Sequence, residues 1–280
     1  MKTDGRTALG RIDRLLNRLV FGGRRRLRRI VELEEDGHRH VFLCKTHLEF
    51  RRAYSLIGKE EGTVDWIRRN AKPGDVFYDI GANVGVYTFL AARRVLPGGA
   101  VYAFEPHGPT FARLIDNIVL NGMTSDVIAL SCALHDQDGL FPFHYSSHDS
   151  GVSGSQLAGA PTASGQTDAP TVAELKSAIT VDSLIATGNV RPPDLVKIDV
   201  DGNEYRILCG MRRLLQGGGA PRSLQVEMNA ENRSEISALL QQCGYEEHDR
   251  HYTASGKKWV ANGGDPEAYP YNLVFNRIAA

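Results

Sequence analysis

The stretch VFYDIGANVGVYTFLAARR, residues 76–94, decides how the chain is read, because an apolar run of strand type enters a glycine turn and a helical pattern leaves it. Glycines at such a junction permit a tight turn and close backbone approach to a ligand. The turn alone leaves the ligand open. No Gly-Lys-Ser/Thr follows, which excludes a Walker phosphate loop. A dinucleotide fingerprint requires Gly-x-Gly-x-x-Gly, whereas here Gly81 and Gly85 bracket Asn83. Asp79, at the strand end, would repel a pyrophosphate and attract a cationic amino group.

Working outward, the next apolar run ends in FEP, so Glu105 stands twenty residues beyond Gly85, where an acid accepts hydrogen bonds from two ribose hydroxyls. A ligand with a ribose, a positively charged amino-acid moiety and no phosphate is S-adenosylmethionine. A third run, VIALSCALHDQDG, brings Ser131, Cys132 and Ala133 to the expected adenine edge. A fourth, DLVKIDVDGNEYRILCGMRRLL, ends at Asp199 and continues into a helix capped by Asn203, with Ile207, Leu208, Met211, Leu214 and Leu215 on one face. Strand-end carboxylates of an open α/β sheet point into the ligand crevice, so Asp199, Asp201 and Glu204 crowd one rim.

Strand-like runs (DVFYDI, VYAFE, DVIALSC, DLVKIDV, SLQVEM) alternate with helix-like ones from residue 73 onward, which predicts a mostly parallel sheet covered on both faces. GYEEHD and YNLVFN have no long helix between them and are expected to pair antiparallel. Residues 31–72 read as an N-terminal extension, a hairpin turning at Asp36-Gly37 and then helix, and residues 73–280 as the ligand-binding domain. Residues 146–170, rich in Ser, Gly, Ala and Thr, read as a long loop that serves as lid or insertion.

Net charge is zero but unevenly spread, with Lys2 and nine arginines against Asp4 and Asp13 in residues 1–30. Leu9, Ile12, Leu15, Leu16 and Leu19 recur there at helical spacing, a basic amphipathic arm suited to an anionic membrane surface; no nucleic-acid fold signature accompanies it. Cys44, Cys132, Cys209 and Cys243 are widely spaced, which suits reduced thiols in a cytoplasmic protein, peripheral at most to the inner membrane surface, with neither disulfide nor zinc.

The blocks PGDVFYDIGANVGVYT, AFEP, NIVLNG, ALHDQDG, TVDSL and KIDVDGNEYRILCGM occur in the order seen in the FkbM family of S-adenosylmethionine-dependent methyltransferases, and the resemblance spans about residues 60–250. It implies the class I methyltransferase fold, α/β and Rossmann-like with a seven-stranded mostly parallel sheet, and O-methylation of a sugar, glycan or polyketide-like acceptor. Carried over, Asp79, Gly81, Asn83, Gly85 and Glu105 are expected cofactor contacts, and Asp199 lies in the family's Ile-Asp-Val-Glu-Gly block. The chain departs from the pattern with Asp201 in place of glutamate and with His107 after Glu-Pro, a histidine expected to face solvent.

For the chemistry, Asp199 or Glu227 is expected to position and deprotonate the acceptor hydroxyl. If Asp199 instead binds the donor's amino group, Glu227 or His144 becomes the base. Asp199, Asp201, Glu227 and Asn229 are oxygen ligands that could surround Mg²⁺, but the reading assigns them to helix capping and substrate hydroxyls, with no metal. The rival reading is a non-catalytic S-adenosylmethionine-binding scaffold at a membrane.

Overall fold

The computed structural model describes residues 29–55, 61–157 and 172–278. Two strands, β1 (Arg29–Glu35) and β2 (His38–Cys44), pair antiparallel around Asp36 and Gly37, whose positive φ angles of 47° and 74° make the tight turn. Helices His47–Ser55 and Glu61–Asn70 follow. The main sheet then begins with β3 (Val76–Ile80), β4 (Ala100–Phe104) and β5 (Val127–Leu130). A smaller sheet is inserted, made of β6 (Ala133–Leu134), β7 (Gly139–Tyr145), β8 (Gln156–Leu157) and β9 (Val172–Ile179). The main sheet resumes with β10 (Leu195–Ile198), β11 (Ser223–Met228), β12 (Tyr245–His251) and β13 (Tyr271–Arg277).

The seven main strands lie in the order β12-β13-β11-β10-β3-β4-β5. Only β13 runs antiparallel to its neighbours; it pairs with β11 on one side and β12 on the other. The chain moves outward from β3 in one direction through β4 and β5 and returns on the other side to β10, so the crevice at the carboxyl end of β3 is the switch point where such sheets bind ligands.

The sequence of β3 explains its central place. All five residues of VFYDI are buried, as a parallel strand covered on both faces requires. Val76, Tyr78 and Ile80 pack into a core with Leu208, Met211 and Leu224. Phe77 points the other way, against Trp66, Phe89 and Leu90. That second core also takes in Val31, Leu33 and Phe42 of the hairpin, so the N-terminal extension is part of the fold's hydrophobic interior.

Two expectations change here. The loop read across 146–170 is bounded by strands β7 and β9 and contains β8, while residues 158–170 lie outside the described residues, as do residues 1–28 of the basic arm. The apolar face drawn through Ile207 to Leu215 is split between two short helices, Glu204–Cys209 and Arg212–Gln216. They break at Gly210, where a Cβ would come within 2.1 Å of the His135 carbonyl oxygen.

Candidate active site

A cavity with about 800 Å³ of non-protein space, part of it open to solvent, lies at the carboxyl ends of β3, β4 and β10. Of the residues the sequence singled out, Gly81, Asn83, Glu105, His107, Cys132, Ala133, Asp199, Asp201 and Asn203 line it, joined by Arg52, Phe143 and the 152–157 segment.

The glycine turn works through its backbone. Gly81 and Ala82 donate their N–H groups to the Phe104 carbonyl at 3.0 and 2.9 Å. A Cβ on Gly81, whose φ is 81°, would stand 1.9 Å from the Asp199 carbonyl oxygen. The close approach is therefore to the end of the neighbouring strand. Gly85 is off the wall, packed on the Phe89 ring and Leu114.

Glu105 is the best-organised carboxylate of the pocket. Its Oε2 accepts the Asn83 N–H at 2.9 Å and its Oε1 the His107 N–H at 2.8 Å. Burial pushes its pKa up to about 7 despite these two bonds, and the charges of Asp79 and Asp201 add to the rise. Burial likewise raises Asp201, helped by the charge of Asp199. Asp201 sits in left-handed backbone at φ 59° and accepts the Gly154 N–H at 2.8 Å. Behind it, buried Glu204 holds the turn by accepting from Val200 N and Gly202 N at 3.2 and 3.0 Å. Asn203 occupies the helix N-cap position without making the side-chain cap bond expected of it. Its buried Oδ1 has no hydrogen-bond partner.

Asp79 does not reach the cavity. It is fully buried, its Oδ2 accepts from Thr88 Oγ1 at 2.6 Å and its Oδ1 lies 3.6 Å from Lys197 Nζ. Lys197 is also 3.3 Å from Asp199 Oδ2, so the acid expected to meet a ligand directly meets a lysine instead. Ser131 is exposed and off the wall. His144 is displaced for a simple reason: its neighbour Phe143 lines the cavity, and alternate strand residues face opposite sides. Glu227 is level with Asp199 in the β10–β11 register but one strand farther from the turn, and it does not line the cavity. Among the described residues no group of three or more His, Cys, Asp and Glu side chains is gathered at metal-binding distance, nor is any helix long and apolar enough to cross a membrane.

His107, expected in solvent, is buried at 3% exposure. Its Nδ1 accepts from Thr110 N at 3.3 Å and caps the helix Gly108–Leu120. Its Nε2 lies 3.0 Å from the Ser147 carbonyl, and burial holds its pKa down, which assigns the neutral ring with the proton on Nε2.

The segment after β7 is drawn over the cavity by four side chains, two of them from the helix His47–Ser55. Asn83 Nδ2 donates to the Val152 carbonyl at 3.1 Å, Arg52 Nε to the Gly151 carbonyl at 3.1 Å, and the Gly151 N–H to Thr110 Oγ1 at 3.1 Å. Ser150 Oγ bonds to Glu49, which also accepts from Arg113 Nε at 2.7 Å. Arg52 and Glu49 come from the N-terminal extension, and no motif in the sequence marks them. Asn117 was also missed. Its Oδ1 accepts the Leu43 N–H at 2.8 Å and its Nδ2 donates to the Val84 carbonyl at 2.9 Å, tying the hairpin to the glycine turn.

A family model described as the methyltransferase FkbM domain matches residues 79–247. The hexuronic acid methyltransferase AglP of Haloferax volcanii is 28% identical over 185 residues, 65% of this chain and 69% of that protein. The 31-O-demethyl-FK506 methyltransferase FkbM of Streptomyces tacrolimicus is 29% identical over 198 residues, 62% of this chain and 74% of that protein. A crystal structure of methyltransferase FkbM from Methylobacillus flagellatus KT superimposes with a TM-score of 0.46 at 14% identity, covering 76% of this chain and 50% of that one.

Proposed function

Since this chain belongs to the FkbM methyltransferase family, we propose that it moves a methyl group from S-adenosylmethionine to a hydroxyl oxygen of a small acceptor, a sugar, uronic acid or polyketide. The observation that carries the donor reading is Glu105, a buried carboxylate on the cavity wall with one backbone N–H on each oxygen. Each carboxylate oxygen accepts about two hydrogen bonds, so capacity remains for a vicinal diol such as a ribose. The orphaned Asn203 Oδ1 on the same wall accepts one further N–H or O–H. Cys132, Ala133, Leu134 and Phe143 supply the apolar surface an adenine needs. Asp199 faces the cationic amino group. Bound there, the donor supplies an electrophilic methyl carbon on a sulfonium sulfur.

What remains for the protein is alignment and proton removal. Holding acceptor oxygen and methyl carbon in line supplies much of the acceleration. Asp201 is the base of this reading: it lines the cavity, burial raises its proton affinity, and a base adds roughly 10²–10⁴ in rate. It takes the hydroxyl proton as the carbon–oxygen bond forms and the methyl–sulfur bond breaks, the bonding pair returning to sulfur as S-adenosylhomocysteine leaves, and it releases the proton to water afterwards. This reassigns the role given to Glu227 and His144, which stand off the wall. The 150–157 segment excludes water from the reacting atoms. The basic arm docks on anionic lipid in this reading, on the strength of its charge and periodicity.

The test is turnover of methyl-labelled S-adenosylmethionine against glucuronate, galacturonate, neutral hexoses and a hydroxylated macrolide. Acceptor-dependent label on oxygen is expected. Label on nitrogen or carbon, or no binding of S-adenosylhomocysteine, overturns the reading.

A further inference from the structure

A lysine in the middle of a parallel sheet demands a reason, because an ammonium leaves water only where other charges compensate it. Lys197 lies in β10 between Val196 and Ile198, with its side chain 1% exposed. It is level with Asp79 across the β3–β10 ladder, and Asp199, two residues on, projects to the same side of the sheet. The distances follow: Nζ is 3.6 Å from Asp79 Oδ1, 3.3 Å from Asp199 Oδ2 and 5.3 Å from the centre of the Tyr87 ring.

The row has a direction. Asp79 cannot turn away, since its other oxygen is held by Thr88 Oγ1 at 2.6 Å. Lys197 is fixed between Asp79 and Asp199, and of the three only Asp199 lines the cavity, at 28% side-chain exposure. Two carboxylates and one ammonium leave a net negative charge, and it is presented at the end that faces the cavity.

We infer that Lys197 is a positioning residue. Its ammonium, anchored by Asp79, fixes the Asp199 carboxylate in the orientation that receives the cationic amino-acid end of the donor. The inference rests on the donor reading proposed above. It gives Asp79 its part as well, at one remove from the ligand. Without Lys197 the two carboxylates repel each other, and Asp199 loses the ammonium 3.3 Å from its Oδ2.

The test compares two ligands by calorimetry on the full chain. S-adenosylhomocysteine and 5′-methylthioadenosine share adenosine and sulfur, but only the first carries the amino-acid end. Lys197→Met is expected to lose tenfold or more in affinity for S-adenosylhomocysteine while binding 5′-methylthioadenosine within twofold of the unaltered protein. Asp199→Asn should show the same selective loss, and the Lys197→Met/Asp199→Asn pair should lose no more than either alone, as residues acting through one another do. The charge-balanced pair Asp79→Asn/Lys197→Met leaves no uncompensated buried charge, so it reads the same selective loss should Lys197→Met alone fail to fold. Equal losses for both ligands, additive losses in the pair, or full S-adenosylhomocysteine affinity in the charge-balanced variant overturn the inference while leaving the donor reading standing. Failure of the unaltered protein to bind S-adenosylhomocysteine overturns both.

Discussion

Replacing Glu105 by glutamine separates what this carboxylate does for binding from what it costs the fold. Burial raises its pKa from 4.5 to about 7, so the folded chain holds that proton more tightly than the unfolded chain does. As pH rises from 4.5 to 7, the unfolded state releases the proton first, and stability falls through that window and levels off above it. At about 1.4 kcal/mol per pH unit the loss is about 3 kcal/mol, a sizeable share of a domain's total. The amide introduced by Glu105→Gln does not titrate, but it must turn a donor toward the N–H of Asn83 or of His107, a penalty of about 1–3 kcal/mol at every pH. Urea unfolding at half-unit steps from pH 4.5 to 8 should therefore give a difference, variant minus unaltered protein, that climbs by about 3 kcal/mol across the window and is flat above it. Taking the difference removes the histidines that titrate in the same range. Ligand binding runs the other way: a ribose diol needs the ionised carboxylate, so S-adenosylhomocysteine affinity should fall about tenfold per unit below pH 7 in the unaltered protein and be weak and pH-independent in the variant. Parallel stability curves would refute the argument, because they would mean that Glu105 is not desolvated.

Gly81→Ala meets the Asp199 carbonyl at 1.9 Å and a φ of 81°, and thermal melting should show a loss of more than about 3 kcal/mol, well beyond the usual range for point changes. Asn117→Ala leaves the buried Leu43 N–H unpaired; a cost of about 2–4 kcal/mol is expected in chemical denaturation, with faster hydrogen exchange in β2. Arg52→Met removes the bonds to Gly151 and Ser153, so exchange in 150–154 should quicken while global stability shifts by less than about 1 kcal/mol. Deleting residues 1–28 should abolish binding to anionic vesicles at low salt and leave S-adenosylhomocysteine affinity unchanged, both read by co-sedimentation and titration.

The parts of the fold that the sequence announced are those where one residue type has one physical use. Apolar strands separated by helix-length spacers predict a parallel sheet, and its central strand is buried from Val76 to Ile80. The glycine turn and Glu105 fall at strand ends, where side chains have few places to go. The small sheet was not legible, because Ala173, Glu174, Leu175 and Lys176 in β9 are helix formers by propensity and take strand geometry from their pairing with β7. His107 carried a local signal that solvent exposure overlooked: it precedes Gly-Pro at the start of a helical pattern, the position where a side-chain acceptor caps a helix. Charge, strand-end position and the family resemblance all point Asp79 at a cation, but none of them tells which of two nearby cations a carboxylate meets. Lys197 sits two residues before Asp199 in the sequence, and only the pairing of β10 with β3 brings it beside Asp79.

The hydrogen bonds around the cavity also make the N-terminal extension part of the site. Asn117 holds β2 and the glycine turn at once, and Glu49 holds Ser150 and Arg113 at once. Each of these side chains is buried, so breaking any of the four bonds without admitting water leaves a polar group unpaired. The turn that carries Asn83 and the segment that Asn83 grips through Val152 are thus fixed to the same hairpin and helix from opposite sides. Displacing the 150–154 segment must break bonds to His47–Ser55 and to Gly108–Leu120 together, while the Asn83 backbone remains held by Glu105. Displacing the cover therefore costs it its anchors and leaves the glycine turn in place, an order that, under the proposed reading, keeps the donor seat intact beneath a movable acceptor side.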